Sequence, residues 1–313
     1  MINVLDPQAE KRRQNKLIDT TATTIKNAMV REFRRLAKVA SIHYIERQDV
    51  PSTIMPEHEQ RVHSILKNST DRLMLRYFKD ATKSVPKTKG WQDYCRKAVQ
   101  DEFPREDEQS DDELLAALLL LLLTRFQASW ESERIIPVAQ TITNTSWRDI
   151  QAAQAMARQQ EADAFSNAAA GAVAGTSVSI DAGRIRRDAA AAMSQSIIKA
   201  GNARAGTIGQ TEAGTVASVA ADTAVNGMIS GLNGIMANKS WVSRQDDRVR
   251  NFSDGDFSHV SANGQQVSTT LPFQIPRKGG GTEALRFPRD PNGSAGNVIN
   301  CRCIAVYEID EGI

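Results

Sequence analysis

Trp241-Val-Ser-Arg-Gln-Asp-Asp-Arg-Val-Arg250 opens the stretch whose reading decides the fold of this chain. Phe257-Ser-His259, Asn263-Gly264-Gln265, Leu271-Pro-Phe273, Leu285-Arg-Phe-Pro-Arg-Asp-Pro291 and Val298-Ile-Asn-Cys-Arg-Cys303 follow it in order. Aromatics, prolines and glycines crowd these residues, whereas no Phe, Trp or Tyr occurs between residues 166 and 240. A small mixed domain needs bulky anchors and sharp turns that a helical arm does not, so the shift predicts a boundary at Trp241. Gln266-Val-Ser-Thr269 and Ala284-Leu-Arg-Phe287 read as short strands, and Gly279-Gly280-Gly281 reads as a loop. From Cys303 to Ile309 the apolar residues alternate with period two. Residues 241–313 are therefore expected to form a compact α+β domain with a small antiparallel sheet.

Upstream the period is helical. Ile18, Ile25, Met29, Phe33, Leu36 and Val39 fall at three- and four-residue steps, predicting a helix from Pro7 to about Ile45. After Pro51 and Pro56, Val62, Ile65, Leu66, Leu73, Leu75 and Phe78 predict a second helix, ended by Pro86. A shorter piece surrounds Trp91 and Tyr94. A third helix is expected from Asp112 to about Glu133, with Pro137 interrupting it and the pattern resuming from Thr143 to Phe165. Ala, Gly, Ser and Thr dominate residues 166–240. There Asp181 can cap a helix whose Ile185, Ala189, Met193 and Ile197 share a face. Thr207 and Gln210 have capping-box spacing for another, with Val225, Met228, Ile229, Leu232 and Ile235 on one face. The alternative for residues 167–179 is a flexible low-complexity linker. The chain thus reads as mainly α, long helices followed by a compact antiparallel-sheet module. Its parts are a helical region at 1–165, an Ala/Gly/Ser-rich arm or linker at 166–240 and the α+β domain at 241–313.

The length of 313 residues gives ample material for a core, and the formal net charge of +2 hides an uneven distribution. Lys11, Arg12, Arg13, Lys16, Arg31, Arg34, Arg35 and Lys38 make the amino-terminal region basic, and residues 101–113 are strongly acidic. Such blocks form solvated faces or linkers more often than binding sites. Three cysteines, Cys95, Cys301 and Cys303, do not make a disulfide framework, and a bridge between neighbours two residues apart is strained. A reducing compartment is expected. Residues 1–7 lack an apolar signal core, and the leucine run at 114–123 is about half the roughly twenty residues a membrane span needs. No membrane association is expected.

Trp241, the Asp-x-Arg-Val-Arg at 246–250, His259, the Gly264-Gln265 turn, Pro272-Phe273, Phe287-Pro-Arg-Asp-Pro291 and Asn300-Cys-Arg-Cys303 together resemble the phage head morphogenesis family, also called the Mu F-like minor head proteins. Ala205-Gly-Thr-Ile-Gly-Gln-Thr-Glu212 is similar to the helix that family places before the Trp. The likeness covers residues 204–306. One departure stands out: where the family often has a His soon after the Arg-Val-Arg, this chain has Asn251-Phe252-Ser253. The resemblance implies a structural component of the virion, bound to the phage portal protein at the portal vertex inside the capsid. It would assist head assembly and DNA packaging or delivery, and would pass through the host cytoplasm during assembly. Major capsid or scaffold protein and phage DNA are the further partners it allows. It implies no enzyme, so Trp241, Asp247, Arg248, Arg250, His259, Cys301 and Cys303 are expected in structural or interaction roles.

The residues themselves leave sharper chemistry open. His259, Cys301 and Cys303 could ligate zinc, with Asp254 or Asp256 as a fourth donor. Structural zinc sites use four protein ligands, however, and only three obvious donors are present. The expectation is therefore reduced, buried, metal-free cysteines closing the last strand, and no cofactor. Asp246, Asp247, Arg248 and Arg250 could act as base and anion holder, or form an ion-pair network anchoring a helix end to the domain. A nucleic-acid-acting enzyme centred on His259 and the cysteines is the alternative function. Phosphate-loop, nucleotide-glycine, Gly-x-Ser-x-Gly and His-Glu-x-x-His motifs are all missing from the sequence. His43, His58 and His63 are expected at the surface or between helices. Lys11, Arg12, Arg13, Arg34 and Arg35 could contact DNA phosphates without reading sequence, or dock on an acidic protein surface.

Overall fold

Apolar residues at helical spacing build the first element, α1 (Pro7–Arg47), whose Ile18, Ile25, Met29, Phe33 and Leu36 are all buried. These positions belong to a computed structural model that describes residues 7–83, 93, 97, 111–174, 181–229 and 235–311. Cys95, the piece around Trp91 and Tyr94, and the acidic run up to residue 110 lie outside the described residues. A 3-10 turn (Ser52–Ile54) leads into α2 (Met55–Lys83). There Leu75 is 41% exposed, off the expected stripe, and Met74 and Tyr77 are buried in its stead. The helix α3 (Asp111–Trp130) passes through a π-helical turn (Glu131–Ile135) into α4 (Ile136–Val173). Pro137 does not hold the chain open until residue 143, as the sequence suggests. It stands at the start of α4, where a missing N–H is harmless.

The arm is one helix, α5 (Ala182–Ile229), started by Asp181, whose Oδ1 accepts from the Arg184 N–H at 2.9 Å. Thr207 therefore starts no helix. Its neighbours already complete the backbone ladder, and no donors are left for a capping box to satisfy. Residues 167–173 are likewise helical, not linker. The sheet begins earlier than expected. Strand β1 (Ile235–Val242) carries Ile235, read from the sequence as part of a helix face, and Trp241, the expected start of the α+β domain.

After β1 come α6 (His259–Ala262), β2 (Gln266–Ser268), β3 (Phe273–Pro276), β4 (Thr282–Leu285), α7 (Ala295–Val298) and β5 (Ile304–Glu311). The strands form an antiparallel sheet ordered β2-β1-β5 and a β3-β4 hairpin. In the larger sheet Trp241 lies opposite Ala305, and Lys239 opposite Tyr307. The hairpin turns through Gly279, Gly280 and Gly281, all at positive φ, a conformation natural to glycine. The molecule is mainly α with a small α+β carboxy-terminal module. Among the described residues, no helix is long and apolar enough to cross a membrane.

The chain divides into two units. Met1–Thr24, Asn68–Glu131 and Thr207–Ile313 form one; Ile25–Lys67 and Ser132–Gly206 form the other. In the second unit, Leu36, Tyr44, Ile150, Met193 and Ile197 centre an apolar core. His58, fully buried, bridges Glu32 Oε1 at 2.8 Å and Ser146 Oγ at 3.2 Å. This is the interhelix role expected of it. In the first unit, Trp241, Phe257, Phe273, Ile275, Leu285, Cys301, Cys303 and Ala305 pack into a second core. The candidate site lies within that core.

Candidate metal centre

Ser258 caps the single turn of α6, its hydroxyl accepting from the Ser261 N–H at 3.0 Å. The cap, with a 2.9 Å bond from the His259 N–H to the Arg250 carbonyl, fixes the backbone that carries His259. Asn300 takes φ 56°, a left-handed conformation that asparagine tolerates, just before the two cysteines. Its backbone N–H donates to Thr211 Oγ1 at 3.1 Å. The chain then delivers both thiols to the core beneath Trp241, whose ring meets the His259 ring edge-on at 5.4 Å.

His259 Nδ1 lies 3.4 Å from the Cys301 sulfur and 3.6 Å from the Cys303 sulfur. The three donor atoms all fall within 4.8 Å of one another. The residues are 1%, 2% and 1% exposed respectively. On the far side of the ring, His259 Nε2 is 2.8 Å from Asn297 Oδ1, and Asn297 Nδ2 donates to Glu283 Oε2 at 2.6 Å. An ionised carboxylate can only accept, so Glu283 sets the amide with its oxygen toward the imidazole. His259 then donates from Nε2, and the Nδ1 lone pair faces both sulfurs.

Glu283 suits that role. Burial opposes its ionisation, but hydrogen bonds from Ser294 and Asn297 outweigh it and hold its carboxyl below the usual range. Burial also pushes the thiols up. For Cys301, the hydrogen bond from Cys303, with the Arg289 charge nearby, overcomes this and brings the thiol well below its ordinary range. Cys303 would have to ionise beside that thiolate and is held well above the range. The indole Nε1–H of Trp241 is buried without a well-formed hydrogen bond, and it favours charge on the Cys303 sulfur.

Neither Asp254 nor Asp256 joins the group. Asp254 instead accepts from the Asn251 N–H at 3.2 Å and the Ser253 hydroxyl at 3.1 Å. The thiol–imidazole–amide order also matches an activated nucleophile. Here, though, the thiols are buried, and a second sulfur meets the same nitrogen.

The other expected site residues scatter. Trp241 is a fully buried strand residue that packs in the core of its unit. Asp247 and Arg248 are exposed; the ion pairs fall on their neighbours. Asp246 pairs with Arg302 at 2.7 Å, and Arg244 pairs with Asp19. Arg250 donates to the Ile299 carbonyl at 2.6 Å. Lys11 and Arg13 are half-buried, Arg12 and Arg34 exposed. Arg35 is held by Glu32 at 2.8 Å and Glu57 at 3.4 Å, so it braces the second unit and does not offer a free charge. The sequence reading missed Asn297, Glu283 and Arg289. Asn297 carries no mark of its own in the sequence, and its role shows only in its folded bonds to His259 and Glu283. Comparison with models of known families, with curated proteins and with solved structures finds no match.

Proposed function

We propose that this chain is a phage minor head protein, bound to the portal at its vertex inside the capsid, where it assists head assembly and the packaging or delivery of DNA. One observation carries the reading. The likeness covers residues 204–306, and all of it from Thr207 onward belongs to one unit. Trp241, His259, Cys301 and Cys303 share its core, Phe273 stacks on Trp241 at 5.3 Å, and Thr211 accepts from the Asn300 N–H. That the motif residues share one core supports reading them as one module. The role is structural, and no reaction is assigned.

Co-expression with the portal protein of the same phage tests the reading. The full chain is expected to co-purify with the portal ring at a fixed ratio. An asymmetric cryo-EM map of the particle is expected to place it at that vertex. Failure to co-purify, together with a vertex containing no density for the chain, would overturn the proposal.

A further inference from the structure

We propose that His259, Cys301 and Cys303 bind one zinc ion, with the fourth position left to a solvent molecule or outside ligand. The inference rests on geometry alone and does not depend on the phage reading. Two thiolates and an imidazole are the donors zinc prefers, and at tetrahedral angles with ordinary bond lengths its S and N ligands stand about 3.5 Å apart. The observed separations are 3.4 and 3.6 Å.

Plain hydrogen bonding accounts for one of those contacts but not both. With Nε2 committed to Asn297, the imidazole has a single lone pair on Nδ1, and one S–H can use it well. The second sulfur hydrogen-bonds to the first, yet it too lies 3.6 Å from the same nitrogen, the convergence that an ion shared by the three atoms produces. The surroundings match. The chain His259–Asn297–Glu283 is the outer support that orients a metal-ligating imidazole and raises its basicity. On binding, both thiols lose their protons to solvent, and two thiolates balance the dication inside the core. Ligand counting from the sequence asks for a fourth residue, but three protein ligands and one open position is an established zinc arrangement.

The full chain, purified without chelator, should carry about one zinc per molecule by elemental analysis. Exchange for cobalt(II) should produce a thiolate-to-cobalt charge-transfer band. Cys303→Ser should lose at least nine-tenths of the metal. Because that variant could unfold, His259→Cys serves as the second arm. It keeps a three-ligand thiolate set and should retain zinc, with a stronger cobalt band. The assignment falls if the chain, refolded in excess zinc, takes up none. It also falls if zinc content is unchanged in Cys303→Ser, or if another metal binds and zinc cannot replace it.

Discussion

Arg289 is a guanidinium 1% exposed, and it fits only because Gly214 has no side chain. Its Nε donates to the Cys301 carbonyl at 2.7 Å and its Nη1 to the Gly214 carbonyl at 2.8 Å. A Cβ on Gly214 would sit 2.2 Å from Arg289 Cζ. Gly214→Ala must therefore push a buried charge off its acceptors, and is expected to destabilise by about 3 kcal/mol. Urea unfolding measures it. The double variant with Arg289→Ala should lose less than the sum of the two singles, because each removes the other's conflict. Additive losses would show that the two residues do not compete for this space. The same residue scale marks where the sequence was readable. His259, Cys301 and Cys303 announce themselves by residue type. Arg289 and Glu283 are charged and so read as surface, and only folding reveals that one is buried and the other braces an imidazole through Asn297.

At the scale of elements, α5 shows how small residues set helix approach. A Cβ at Gly201 would meet Phe33 Cγ at 2.4 Å, whereas a Cβ at Gly206 has nothing within 4 Å. Arg204 lies over the same Phe33 ring at 5.4 Å and pairs with Asp149, so the contact is closed on both sides. Gly206→Ala should stabilise by about 0.5–1 kcal/mol, the helix-propensity gain of alanine over glycine. Gly201→Ala should destabilise by about 1–3 kcal/mol, since overpacking exceeds that gain. Thermal unfolding of the two variants should shift in opposite directions; shifts of the same sign would reject the close packing at Phe33. Helix existence was legible here from apolar spacing, as the buried Ala189, Met193 and Ile197 attest. Helix ends were not. The Thr207 to Gln210 spacing imitates a start, and a strand of eight residues at Ile235 continues an apolar series that reads equally well as helix.

At the scale of the whole molecule, partly and fully buried carboxylates decide the response to acid. Burial opposes ionisation of Asp290, but hydrogen bonds from Arg286 and the Asn292 N–H hold its carboxyl below the usual range. Glu32 is likewise lowered, burial being overcome by His58 and Arg35, and Asp19 is lowered chiefly by its bond from Arg244. Each of these groups binds its proton less readily folded than unfolded. Their contribution is thus complete above the ordinary values of 3.8 for Asp and 4.5 for Glu, and is lost as pH falls through the lower folded values. Asp222 works the other way. Burial raises its carboxyl despite Lys239 and Tyr307, so it takes up a proton earlier when folded and offsets part of the loss just above 3.8. With Glu283, four lowered carboxyls stand against one raised among the described residues and fix the sign. The carboxylates lie in both units, so acid weakens each. The urea midpoint, read by near-ultraviolet circular dichroism, should be nearly level from pH 7 to about pH 5 and then fall steadily toward pH 3. Asp290→Asn should flatten part of that fall while lowering the plateau at neutral pH, because it removes a charge that Arg286 already holds at 2.9 Å. A midpoint that holds or rises on acidification would mean that the carboxylate pairs do not carry the stability assigned to them.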